Sequence, residues 1–135
     1  MSGEPKRSQI VRYWWSKGEH SLNSARLELG ANELSFAMNR IYYAVFYAVS
    51  AALLERGRSF KKHSGVRAAF HREFTKSGLL TSDWSKFYDQ LFEDRQEGDY
   101  IALTSFDHAY VEGQLARGVE FFRVLRSFVP SLEKS

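Results

Sequence analysis

The chain predicts an all-α protein, an antiparallel up-and-down bundle of four or five helices. Apolar residues recur at helical spacing through most of its 135 residues. No window shows sustained period-two alternation closed by turn residues, so no strand is expected. The stretch 36–54, FAMNRIYYAVFYAVSAALL, is apolar or aromatic almost all round a helix. A helix that is apolar on every side is buried on every side, so this one is expected at the centre, carrying Arg40 away from easy reach of water.

A first helix is expected over Gln9–Leu29, where Ile10, Tyr13, Trp14, Leu22, Ala25 and Leu29 recur and Gly18 is a weak point. Gly30 suits its C-cap and Asn32 the N-cap of the central helix, which runs from about Glu33 to Arg56 and stops at Gly57. Ser64 is placed to cap a third helix with Val66, Ala69, Phe70 and Phe74 on one face and Gly78 at its end. Thr81 or Ser82 starts a fourth, with Trp84, Phe87, Tyr88, Leu91 and Phe92 as its stripe, and Glu97-Gly98-Asp99 is expected to break it. Thr104 and Asp107 resemble a capping box for a last helix ending near Val129, before Pro130; its apolar residues include Phe106, Ala109, Tyr110, Ala116, Phe121 and Phe128. Residues 9–130 read as one domain, with 1–8 and 131–135 as flexible tails.

The absence of cysteine excludes thiolate catalysis, disulfides and cysteine-held metals, and fits a reducing, cytoplasmic setting. A net charge of +3 suits an anionic partner without requiring one. An aromatic content of 16% points to a large core or an interface. Asn39 and Arg40 interrupt the apolar run, and Ile41–Leu54 falls short of the ~20 residues of a membrane span. The polar start MSGEPKRSQ has no apolar targeting core. Neither Glu-x-x-His, His-Glu-x-x-His nor a glycine-rich phosphate loop occurs, and His20, His63, His71 and His108 lack metal-ligand spacing. No metal or cofactor is expected.

Three features remain. Arg40, Tyr43 and Tyr47 share a face of the central helix, where a guanidinium needs a phosphate or RNA contact, or a structural ion pair to Asp94, Glu97 or Asp99. Arg95 follows Trp84, Tyr88 and Leu91 on the packing stripe of the fourth helix, just ahead of Asp99 and Tyr100; it suits either a functional role or the negative end of the helix dipole. Lys61, Lys62 and His63 lead into the third helix, whose free N–H groups form an anion site, although such a basic loop is commonly only solvated. His63 has a reference pKa suited to general acid–base work.

Together, MNRIYYAVFYAVSAALLERG, KKHSGVRAAFHREFTKSGLL and LFEDRQEGDY, in this order over about residues 10–128, resemble the HEPN domain family, in particular its short stand-alone prokaryotic members. The resemblance implies a helical bundle that forms homodimers, frequently paired with a minimal nucleotidyltransferase in toxin–antitoxin modules. Many HEPN proteins are metal-independent endoribonucleases with an Arg-x(4–6)-His motif at the dimer interface. Arg95 stands at the motif's arginine, but Tyr100, Ile101 and Ala102 occupy the positions where histidine belongs. Tyrosine, with a reference pKa of about 10, is a poor base at neutral pH. Three readings stand open. The first is a nucleotide-, RNA- or partner-binding component whose cleft at the dimer interface holds Arg40, Tyr43, Lys61, Lys62, His63, Arg95 and Asp99. The second is an active ribonuclease using Arg95 with Tyr100 or His63. The third is a purely structural or interaction module.

Overall fold

In the computed structural model, the backbone is described for residues 4–100 and 106–133, and the side chains for 6–95 and 106–133. Within these residues the fold is all-α, with α1 Glu4–Gly30, α2 Leu34–Glu55, α3 His63–Phe70, α4 Ser82–Tyr100 and α5 His108–Leu125. A π-helical turn, His71–Thr75, extends α3, and short 3₁₀ turns at Arg126–Phe128 and Pro130–Glu133 follow α5.

Cross-helix contacts give the directions. Trp14 stacks on Tyr47 and Ser21 Oγ donates to the Arg40 carbonyl at 2.7 Å, so α1 and α2 are antiparallel. Tyr42 meets Tyr88 while Asp94 and Arg95, further along α4, share a cleft with Ser35 and Phe36 at the start of α2, which runs α4 against α2. Tyr110 donates to Asp94 and Phe121 packs on Phe87, which runs α5 against α4. These four helices form the up-and-down bundle, and α3 with its π turn carries the chain from α2 to α4.

Helix α1 begins at Glu4, ahead of the expected Gln9. Its buried stripe is Val11, Trp15, Leu22, Ala25 and Leu29, whereas Ile10 and Tyr13 are exposed. Gly18 does not weaken the helix. A Cβ there would lie 3.0 Å from the Ala44 carbonyl oxygen and 3.0 Å from the Phe122 ring, so α1, α2 and α5 meet closely because the side chain is missing.

Capping differs from expectation in several places. Asn32 does not cap α2. It adopts φ +59°, with Glu33 N–H donating to the Glu28 carbonyl and Asn32 N–H to the Leu29 carbonyl, the Schellman pattern that closes α1. Gly57, at φ +81°, closes α2 the same way through Arg58 N–H to Leu53 and Gly57 N–H to Leu54. Lys62, not Ser64, is the N-cap of α3. Asp107 is the N-cap of α5, without a side-chain cap bond; Thr104 lies outside the described residues. Helix α4 continues through Glu97-Gly98-Asp99 to Tyr100. One helix-interior glycine costs only about 1 kcal/mol, too little to end a helix unaided.

Helix α2 is central but not enclosed. Ala37, Met38, Ile41, Tyr42, Ala44, Val45, Ala48, Val49 and Ala51–Leu53 are buried. Its other side carries exposed Phe36 and Arg40, with Asn39, Tyr43, Phe46, Tyr47 and Ser50 half-buried. The α1 and α4 flanks leave this strip open, so Arg40 reaches water after all. No helix of the described residues is long and apolar enough to cross a membrane.

Candidate functional site

The open strip of α2 forms the floor of two adjoining clefts that share Asn39 and Tyr43. The first, about 460 Å³, is walled by Ser35, Phe36, Asp94, Arg95 and Phe106. The second, about 470 Å³, is walled by Lys17, His20, Ser21, Ser24, Arg40 and Tyr47. Arg95 and Arg40 therefore stand on opposite sides of Tyr43, not in one pocket.

Arg95 follows Tyr88 and Leu91 at helical spacing, so α4 aims it at α2. Its Nη2 donates to Tyr43 Oη at 3.1 Å. The guanidinium lies 5.2 Å from the centroids of both the Tyr42 and Tyr43 rings, within cation–π range. Its Nε is buried with no hydrogen-bond partner among the described residues. No carboxylate of the described residues pairs with it. Neighbouring Asp94 is engaged elsewhere, accepting from Gln90 Nε2 at 2.9 Å and from Tyr110 Oη at 2.5 Å.

His63 opens α3 at the edge of the same aromatic cradle. Its ring centroid lies 4.2 Å from that of Phe46 and 5.8 Å from that of Tyr43. Its Nδ1 is 3.5 Å from Tyr42 Oη. Burial, and next the positive charge of Arg95, hold its pKa below the usual histidine value. The imidazole is thereby kept neutral near pH 7, the form a proton acceptor needs. Burial raises the Tyr42 pKa, partly offset by Arg95, so its hydroxyl stays protonated.

The structure thus gathers Arg95, Tyr43 and His63, three residues that the sequence left on three separate segments. Arg40 departs from expectation. Its side chain is half exposed and pairs with Glu28 at 3.5 Å, not with Asp94. A half-exposed arginine meets whichever acid its neighbouring helix supplies, here on α1. Lys61 and Lys62 are exposed ahead of α3. The side chains of Asp99 and Tyr100 lie outside the described residues. Sequence reasoning missed the roles of Tyr42 and Phe46, which bracket Arg95 and His63; the signal was their spacing of three residues from Asn39 and Tyr43.

The HEPN domain family model matches residues 11–129. A UPF0332 protein of Thermotoga maritima is 40% identical over 130 residues, spanning 96% of this chain and 98% of that protein. "Putative toxin MJ0142" of Methanocaldococcus jannaschii is 32% identical over 115 residues, 85% of this chain and 78% of that protein. "Putative toxin MJ0605" of the same organism is 28% identical over 82 residues, 61% of each chain. With a bundle of the expected architecture and a family match running from α1 to the end of α5, the chain belongs to the HEPN domain family.

Proposed function

We propose that this protein is the HEPN component of a toxin–antitoxin type system and binds RNA or a nucleotide phosphate in the Arg95 cleft, at a homodimer interface. The observation that carries this reading is the state of Arg95. Among the described residues its guanidinium has a buried, unpartnered Nε and no carboxylate, and a buried guanidinium ordinarily requires an anion. A phosphate matches its geometry. The dimer reading draws support from the aromatic surface beside the clefts. Phe36, 61% exposed, walls the Arg95 cleft, and Tyr13, 58% exposed, packs on Trp14, which stacks on Tyr47; large exposed aromatics are enriched at interfaces. The relatives named as toxins favour a toxin-like role, and a minimal nucleotidyltransferase is the partner proposed from family resemblance.

The test is binding of a fluorescent oligoribonucleotide by anisotropy, with sedimentation equilibrium on the same samples. The proposal expects a dimer whose affinity falls at least tenfold in Arg95→Ala. Equal affinity in wild type and variant would rule out the cleft as the binding site. Mixing with a candidate nucleotidyltransferase during sedimentation tests the partner directly.

A second reading, metal-independent RNA cleavage, is favoured by one specific observation: His63 stands in the Arg95 cradle with its pKa held down. In this scheme neutral His63 accepts the proton of a ribose 2′-hydroxyl and Arg95 stabilises charge on the phosphate; Tyr100 is the alternative proton acceptor. Cleavage in chelator that disappears in both Arg95→Ala and His63→Ala supports it. Intact RNA at high protein concentration would exclude it.

A further inference from the structure

A larger concavity lies outside this cleft. It is a groove of about 760 Å³ between α3 with its π turn and the first half of α4, within the roughly 300–1,000 Å³ of ligand clefts. Arg67, His71, Arg72, Lys76 and Lys86 line it, with Asp89 as its single lining carboxylate. Asp89 is already neutralised, since its Oδ1 accepts from Arg67 Nη1 at 2.7 Å and lies 2.9 Å from His71 Nε2. Lys76 and Lys86 have no carboxylate partner among the described residues. The groove therefore presents an excess of positive charge.

The π turn places these groups together. In a regular α-helix residues five apart point about 140° away from each other. Here Lys76 N–H donates to the His71 carbonyl at 2.8 Å, a π-type bond between residues five apart. The widened turn sets His71, Thr75 and Lys76 along one wall. Such insertions cost helix stability and recur at functional sites.

Arg67 links the groove to the aromatic cradle beneath Arg95. His63, Arg67 and His71 follow one another at i, i+4 and i+8. The Arg67 guanidinium lies 4.1 Å from the Phe92 ring centroid, and Phe92 is one turn before Arg95. Phe92 in turn packs at 6.1 Å on Tyr42, over which Arg95 sits. Arg67 and Arg95 thus lie on one run of aromatic contacts, through Phe92 and Tyr42.

We propose that this groove carries the phosphodiester backbone of an RNA strand whose reacting or recognised nucleotide sits in the Arg95–His63 cleft. The inference rests on the RNA reading of that cleft and extends it to Arg72, Lys76 and Lys86. A row of cations spaced over several turns suits a repeating anion better than a lone phosphate, and neutralised phosphates make affinity salt-dependent.

The test compares wild type with the Arg72→Ala/Lys76→Ala/Lys86→Ala variant. Both bind a fluorescent 12-nucleotide RNA and a dinucleotide across a salt series, with circular dichroism confirming the fold. The groove predicts at least tenfold weaker 12-mer binding at low salt and a salt slope reduced by about 2, at about 0.7 per lost phosphate contact on a single strand. It also predicts dinucleotide binding within about twofold of wild type. If the triple variant unfolds, Lys76→Glu/Lys86→Glu replaces it, because neither lysine has a carboxylate partner among the described residues. Arg95-dependent 12-mer binding with an unchanged slope would overturn the groove alone. A wild type that binds no RNA would overturn the cleft reading and the groove with it. Displacement of the 12-mer by a polyglutamate of equal charge, at lower concentration than by unlabelled 12-mer, would instead assign the groove to an acidic protein segment and overturn the proposal.

Discussion

Arg95 on α4 and Tyr43 on α2, 52 residues apart in the chain, are joined by a 3.1 Å hydrogen bond in which the guanidinium donates to the phenol oxygen. The bond fixes a cation against the floor of a cleft without neutralising it. Tyr43→Phe keeps the ring and removes the acceptor. Stability should fall by about 1.5–3 kcal/mol, the range for a hydrogen bond to a charged group. A shift in the midpoint of urea unfolding at constant slope measures it. Arg95→Lys should bind RNA more weakly than wild type, because an ammonium lacks the planar fork.

His63 gives a pH signature. Its folded pKa is lowered by burial and by Arg95, so the unfolded chain binds the proton more tightly. The associated stability is fully present above the unfolded value of about 6.5 and is lost as pH falls from there through the folded pKa. An NMR titration should place the His63 midpoint below that reference. Arg95→Met should move it upward, because a repelling charge is removed; an unmoved midpoint would show that Arg95 exerts no field on the ring.

Gly18 offers a test of packing. Gly18→Ala gains helix propensity, yet its Cβ would crowd the Ala44 carbonyl at 3.0 Å, a backbone atom that cannot rotate away. Overpacking should win, with a net loss of about 1–2 kcal/mol. Thermal unfolding decides it, since a raised midpoint would mean that α1 shifts freely. Gly30→Ala is the control, as nothing lies within 4 Å of a Cβ there.

Buried Glu73 in the π turn is approached by Arg58 at 2.7 Å, Arg56 at 3.1 Å and Arg72 at 3.4 Å. The arginines are each about half exposed, so losing any one should cost about 0–1 kcal/mol. Glu73→Ala removes all three contacts and should cost about 1–3 kcal/mol. Double-mutant cycles between Glu73 and each arginine give the separate couplings.

The sequence by itself determined the helices and the bundle. Apolar spacing from Val66 to Phe74 and from Trp84 to Phe92 is a local property, and burying those stripes leaves few architectures for so short a chain. It also singled out Arg95, because Tyr88 and Leu91 share its face. The N-cap of α2 was misread because Asn32 suits both an N-cap and the left-handed closure of α1, and only the surrounding backbone bonds chose between them. Arg40 was misread because periodicity reports how apolar a helix is and not which of its sides a neighbour covers. The tertiary structure decided that the Phe36–Ser50 side of α2 stays open. It set Arg95 and Arg40 in separate clefts, brought His63 to the cradle of Tyr42 and Phe46, and used a π turn to line a second groove with cations. These are relations between residues far apart in the chain, and they arise when helices dock, after each helix has its own pattern.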